Sequence, residues 1–258
     1  MTQGVRLHYA DDGPRDAPVL LFAGSLGATL AMWEPQLPLG GPFRVIRIDH
    51  RGHGGSPVPP GPYAMPELAA DVLTLLDDLG LPRVAFCGLS LGGMVGMYLG
   101  SEHPDRLTSL TLCCTSAHFP DRGPWDDRIA AVEAGGTAAV ADAVVSRWFT
   151  PPWAAAHPDV VTALRNQIAH TPDAGYLGCC RAIAAWDHRE RLGAVAVPTL
   201  VIGGADDSST PIDPHARTLA DGIPGARFEV LPGAHIATIE SAEHATRLIS
   251  EHATVTTL

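Results

Sequence analysis

The stretch Gly88-Leu89-Ser90-Leu91-Gly92 sets one hydroxyl between two glycines, with the apolar run "RVAFC" before it and "GGMVGMYLGSEH" running on from it. A G-x-S-x-G pattern entered from a strand and left by a helix forces the serine onto a sharp turn. There its oxygen is exposed beside a helix N-terminus, and the glycines avoid collision with the flanking elements. A serine hydroxyl is a weak nucleophile until a base takes its proton and a third group orients that base. On this kind of turn the chain order is serine, acid, histidine. Of the twelve histidines, His235 in "VLPGAHIATIE" is the predicted base, because it lies in a Pro/Gly-containing loop after the last strand-like run. His244 and His252 fall on a terminal helix and are expected at the surface. His50 and His53, in "RIDHRGHGGS", precede the serine and belong to a turn that buttresses the site.

The acid is predicted in "VIGGADDSSTP", where the spacing G-x-x-D-x-x-x-P from Gly204 to Pro211 selects Asp207. Asp206 would point the other way and serve as a loop hydrogen-bonding group. The other loop that could supply an acid, "LCCTSAHFP", offers no carboxylate before Asp121. Attack on a carbonyl places negative charge on its oxygen, which two aimed backbone N–H groups can stabilise by several kcal/mol. One is expected from Leu91, directly after the serine. The other is expected from Ser25 in "FAGSLGATLAMW", with Leu26 in reserve, since Gly24 and Gly27 allow close backbone approach.

These groups need a scaffold that brings loops after strands to one edge. "PVLLFAG" (18–24), "FRVIRID" (43–49), "RVAFCGL" (83–89), "LTSLTLCC" (107–114), "PTLVIGG" (198–204) and "ARFEVLP" (226–232) read as strands. Several are nearly continuously apolar, which suits a sheet covered on both faces. Between them, "MPELAADVLTLLDDLG" (65–80) puts Leu68, Val72, Leu75, Leu76 and Leu79 on one helical stripe, with Gly80 as the stop. The alternation predicts an α/β fold, a doubly wound and mostly parallel sheet with ligands at the strands' carboxyl ends. It lapses between about 119 and 191, where four helix-like segments occur without a strand. The expected organisation is a core over 1–118, an inserted helical cap over 119–191, and the rest of the core over 192–258.

Composition narrows the chemistry. A chain of 258 residues that is 46% hydrophobic and 17% charged can bury one sizeable core. A net charge of −11 argues against nucleic acid or an anionic membrane as partner. All 17 basic residues are arginine, so Schiff-base, P-loop and Ser–Lys chemistries are excluded. The five cysteines, two of the pairs adjacent (Cys113-Cys114 and Cys179-Cys180) and Cys87 alone, lack zinc spacing and read as reduced, buried residues. No run reaches membrane-span length, and the N-terminus lacks a signal-peptide layout, so a cytoplasmic protein is expected. No metal or organic cofactor is required. The oligomeric state is left open, a homodimer included.

Together these residues resemble the α/β-hydrolase superfamily over essentially the whole chain. More narrowly the chain is similar to the 3-oxoadipate enol-lactonases of aromatic catabolism, through "SLGATLAMWEPQ", "GLSLGGMVGM", "LTLCCTSAHFP", "RWFTP", "GYLGCCRAIAAWD" and "GGADDSSTP". That resemblance implies a Ser90–His235–Asp207 triad, an oxyanion hole at Ser25 and Leu91, and a small anionic lactone as substrate. Family members usually carry Ser-Asn before "SLG", where this chain has Ala23-Gly24. A carboxylate-bearing substrate calls for a local positive charge. Candidates are Arg128, Arg147, Arg165 and Arg181, and Trp125 shares a helix face with Arg128 three residues on, pairing a planar wall with a bidentate fork. Trp148, Trp153 and Trp186 are further candidates for the pocket wall. Alternatives on the same scaffold are a broad carboxylesterase or perhydrolase, a hydrolase of carbon–carbon bonds, and a ligand receptor that retains the triad.

Overall fold

A computed structural model describes residues 4–255; Met1–Gln3 and residues 256–258, the two ends of the expected core, lie outside the described residues. Among the described residues, seven strands form a single sheet: β1 (Tyr9–Asp12), β2 (Val19–Ala23), β3 (Arg44–Ile48), β4 (Val84–Leu89), β5 (Leu107–Cys113), β6 (Thr199–Gly204) and β7 (Arg227–Leu231). Their spatial order is β1-β3-β2-β4-β5-β6-β7. All neighbours run parallel except β1, which is antiparallel to β3 with Tyr9 opposite Ile48. The six apolar runs supply β2 to β7. Every residue of β3, β4 and β6 is buried, as strands covered on both faces must be. Each buried Leu, Ile or Val there contributes on the order of 1.5–3 kcal/mol.

The sequence reading missed β1. Its residues, "YADD", are half-exposed and polar, so no apolar pattern marks them. Their cross-strand partners explain the pairing: Arg44 on β3 reaches Asp11 at 2.8 Å, and Arg47 reaches Asp12 at 2.9 Å. The predicted helix over 65–80 forms as α1 (Met65–Asp78), burying Leu68, Val72, Leu75 and Leu76. Leu79 lies just past its end, and Gly80 turns the chain away at φ +65.

Helix α2 (Leu91–Glu102) packs against β4 and β5. Between β5 and β6, five α-helices run among the described residues, α3 (Gly123–Gly135), α4 (Ala138–Val145), α5 (Pro151–Ala156), α6 (Pro158–Ala169) and α7 (Asp173–Ala184), followed by a 3-10 turn at Arg189–Ala194. The unexpected one is α5, a six-residue turn started by the pair Pro151-Pro152. In this segment α3 packs on α4 and α7, and α4 packs on α6. The chain closes with α8 (Arg217–Gly222), α9 (Ala237–Glu240) and α10 (Ala242–Val255). All five cysteines are free and buried. Among the described residues, no helix is long and apolar enough to cross a membrane.

Candidate active site

The parallel strands deliver their loops to one edge of the sheet. Ser90 follows β4 directly and caps α2 at φ 55 and ψ −112, a sparsely populated conformation that costs an L-residue about 1–3 kcal/mol. Hydrogen bonds hold it there. The Ser90 N–H donates to the Cys113 carbonyl at 3.0 Å, and the Ser90 carbonyl accepts from the Thr115 hydroxyl at 2.7 Å. The flanking glycines are steric necessities: a Cβ on Gly88 would overlap the Gly92 carbonyl, and one on Gly92 would overlap the Ala23 carbonyl of β2. Both obstacles are backbone and cannot rotate aside. Gly92→Ala is therefore expected to lower unfolding stability by about 3 kcal/mol or more, measured by urea denaturation. An unchanged midpoint would contradict this reading of the turn.

Asp207 lies in the loop after β6, and His235 in the loop after β7. Both are only 4% exposed, and His235 Nδ1 meets Asp207 Oδ2 at 2.9 Å. The carboxylate is held by more than the imidazole. Its Oδ1 accepts the N–H groups of Ser209 at 2.8 Å and Thr210 at 3.0 Å, and its Oδ2 also accepts the Thr210 hydroxyl at 2.7 Å. Burial alone would raise the Asp207 pKa. The facing His235 and the hydrogen bonds from His235 and Thr210 outweigh it and bring the value down to about 2. A partner ionised at neutral pH on Nδ1 leaves Nε2 as the ring nitrogen free to take a proton. Asp206 is exposed, and its backbone N–H secures the turn on the Gly233 carbonyl at 2.9 Å.

Ser25, Leu26, Ser90 and His235 line one cavity of about 250 Å³. Leu91 heads α2, where its N–H has no acceptor within the helix. On the facing loop the Ser25 N–H donates to the Met32 thioether at 3.3 Å, a weak acceptor, whereas the Leu26 N–H has no hydrogen bond among the described residues.

The opposite wall comes from α3, α4 and the residues after α4. Trp125 and Arg128 line the cavity, with the guanidinium 4.6 Å from the indole ring. Arg147 lines it as well, and partial desolvation together with the like charge of Arg128 lowers its pKa. Neither arginine takes part in an ion pair among the described residues, whereas Arg165 pairs with Asp142 and Arg181 with Glu133 away from the cavity. Asp126 is engaged by Arg122. Asp121 also lines the cavity, with its carboxylate accepting the Gly123 N–H at 2.8 Å. Trp148 is part of the wall. Trp153 is not; it stacks between Phe149 and His157, and Trp186 donates to the Ser116 carbonyl.

Glu240 was not singled out from sequence. Its carboxylate accepts the N–H of Ala234 at 2.8 Å, and the N–H and hydroxyl of Thr150 at 3.1 and 2.6 Å. The Ile236 N–H donates to the Trp148 carbonyl at 2.9 Å, so the His235 turn is fastened to the chain between α4 and α5. A glutamate on a short helix after "PGAH" carries no sequence signal for this role. One expectation is corrected: His252 is buried, not a surface residue, because α10 turns it toward the Pro198 carbonyl at 3.2 Å.

A mostly parallel sheet bearing a strained strand-to-helix serine, with a carboxylate after β6 and an imidazole after β7, has the architecture of the α/β-hydrolase fold family. The chain belongs to that family, whose sequence pattern matches residues 18–242. It is an enzyme, a hydrolase that resembles the enol-lactonases. The 3-oxoadipate enol-lactonase 2 of Acinetobacter baylyi is 38% identical over 221 residues, covering 85% of this chain and 80% of that one. The crystal structure of the enol-lactonase from Burkholderia xenovorans LB400 matches with a TM-score of 0.94 at 41% identity, over 96% of both chains. A candidate carbamate hydrolase of Variovorax paradoxus is 35% identical over 224 residues, 84% of each chain.

Proposed function

We propose that the protein opens small carboxylate-bearing enol lactones, 3-oxoadipate enol-lactone foremost, using Ser90 as nucleophile, His235 as base and Asp207 as its orienting anion. The observation that carries the substrate class is the pair of guanidinium groups, Arg128 and Arg147, on the wall of the cavity that holds Ser90 and His235, with no protein carboxylate paired to either among the described residues. Two like charges beside each other, neither in an ion pair among the described residues, suit an anionic ligand, and the indole of Trp125 offers a flat face for a small ring. A cavity of about 250 Å³ is in keeping with a small substrate. In this reading residues 119–191 act as a cap over a core formed by 1–118 and 192–258.

Ser90 Oγ attacks the lactone carbonyl while His235 Nε2 takes its proton. The carbonyl oxygen, now negative, is met by the Leu91 N–H and an N–H of the Ser25–Leu26 loop. Cleavage of the acyl–oxygen bond releases the ring oxygen as an enol, protonated by His235, and the enol ketonises. Water, deprotonated by His235, then cleaves the acyl-enzyme and restores Ser90.

The test compares three substrates: the enol lactone, followed by loss of its ultraviolet absorbance; p-nitrophenyl acetate; and a simple carbamate. Preference for the lactone is expected, and it should fall about 10–100-fold relative to the neutral ester in Arg128→Met and Arg147→Met, as loss of a charged hydrogen bond implies. Turnover of the carbamate with an inert lactone would instead favour the activity named for the Variovorax relative. Ester turnover alone would favour a broad carboxylesterase.

A further inference from the structure

We propose that His53 is a positioning residue for the oxyanion-binding loop, setting Gly24–Gly27 in place by accepting the Gly27 N–H on its Nε2; this rests on the reading of Ser90 as nucleophile. The loop is held at both ends by imidazoles from the turn after β3. At one end the Gly24 carbonyl accepts the Gly92 N–H at 3.0 Å and His50 Nε2 at 3.0 Å, which ties the loop to the serine turn. At the other end the Gly27 N–H donates to His53 Nε2 at 2.9 Å. Between them the chain makes a turn closed by the Ala28 N–H on the Ser25 carbonyl at 3.1 Å, with Gly27 at φ +81.

The consequence is an assignment of three consecutive donors. The Gly27 N–H is committed to His53 and the Ser25 N–H to the Met32 sulfur, leaving the Leu26 N–H uncommitted in a stretch that lines the cavity. Without the imidazole acceptor, the Gly27 N–H would be an unsatisfied buried donor, and the turn would rotate to find another partner, carrying the Ser25 and Leu26 donors with it.

The acceptor role fixes the state of the ring. His53 Nδ1 donates to the Arg51 carbonyl at 3.1 Å, so Nε2 carries a lone pair only while the imidazole is neutral. The groups around it are Asp49, Arg51 and the His50 ring, whose centroid is 6.4 Å away. His53 has no solvent exposure, and burial shifts its pKa downward. Asp49 does not compete for the ring, because its oxygens accept His8 Nδ1 and the N–H groups of Leu30 and Gly55.

The experiment uses the full chain and p-nitrophenyl acetate as probe. His53→Leu keeps volume and removes the acceptor; His53→Gln keeps a carbonyl acceptor. The expected result is a fall in kcat of about 30-fold or more in His53→Leu with KM within about twofold, the pattern of lost transition-state stabilisation. His53→Gln should recover kcat to within about fivefold of wild type. Unchanged kcat in a folded His53→Leu protein overturns the proposal, as does a rise in KM alone. If His53→Leu fails to fold, His53→Gln decides: a folded protein with kcat more than about 30-fold down also overturns it. Ser90→Ala is run alongside. Activity surviving in that variant would mean the nucleophile reading has failed, whereas its loss beside an unaffected His53→Leu would remove only the role of His53.

Discussion

Ser90→Ala is expected to lower kcat by about 10⁴-fold or more on any ester or lactone the protein turns over, with the fold intact. Alanine and serine pay the same backbone cost at φ 55, and the bonds that hold position 90 are made by its own N–H and carbonyl, not by its hydroxyl. The loss is therefore chemical and not structural. Steady-state turnover alongside thermal unfolding separates the two. Activity within a factor of ten of wild type, with an unaltered melting curve, would remove Ser90 from the reaction.

Asp207→Asn should cost about 10³–10⁴-fold in kcat, although it changes one oxygen to an amide nitrogen. The surroundings decide which way the amide faces. Oδ1 accepts two backbone N–H groups, from Ser209 and Thr210, that cannot turn round, so the asparagine oxygen must occupy that place. The NH2 group then faces the Thr210 hydroxyl, which can rotate to accept, and His235 Nδ1, which must become an acceptor too. An imidazole that accepts at Nδ1 carries its proton on Nε2 and cannot take the serine's. The same substitution removes a pH dependence. Because folding lowers the Asp207 pKa from 3.8 to about 2, its ionised form adds stability above about pH 4 that is lost as the pH falls toward 2. Melting temperatures of wild type and Asp207→Asn should therefore converge over that range. Parallel curves would show that the carboxylate is not stabilised in the folded state.

What could be read from the residues alone depended on whether a local pattern existed. Strands β2 to β6 announce themselves because two-sided burial demands apolar runs, β7 at the partly exposed edge is marked more weakly by Phe228, Val230 and Leu231, and β1 is not marked because its partners are arginines on β3. Asp207 and His235 stand 28 positions apart yet were found from their loops, since strand-end geometry and turn chemistry constrain both. Trp125 and Arg128 were paired by helical spacing alone, and they do meet. Arg147 was a candidate on its charge alone, and Glu240 and His252 had no such signal. Their placement comes from the hydrogen bonds that tie the segment between α4 and α5 to the His235 turn, and from α10 lying against the residue before β6, contacts that no spacing rule encodes. The two glycines before and after Ser90 were legible as a pair, but not that backbone carbonyls are what they avoid.

Glu240 couples two distant parts of the chain beside the site. One carboxylate holds both the turn carrying the imidazole and the start of α5, so a shift of α5 would pull on Ala234, the neighbour of His235. Loosening the start of α5 is therefore expected to be felt at the imidazole, although no α5 residue lines the cavity.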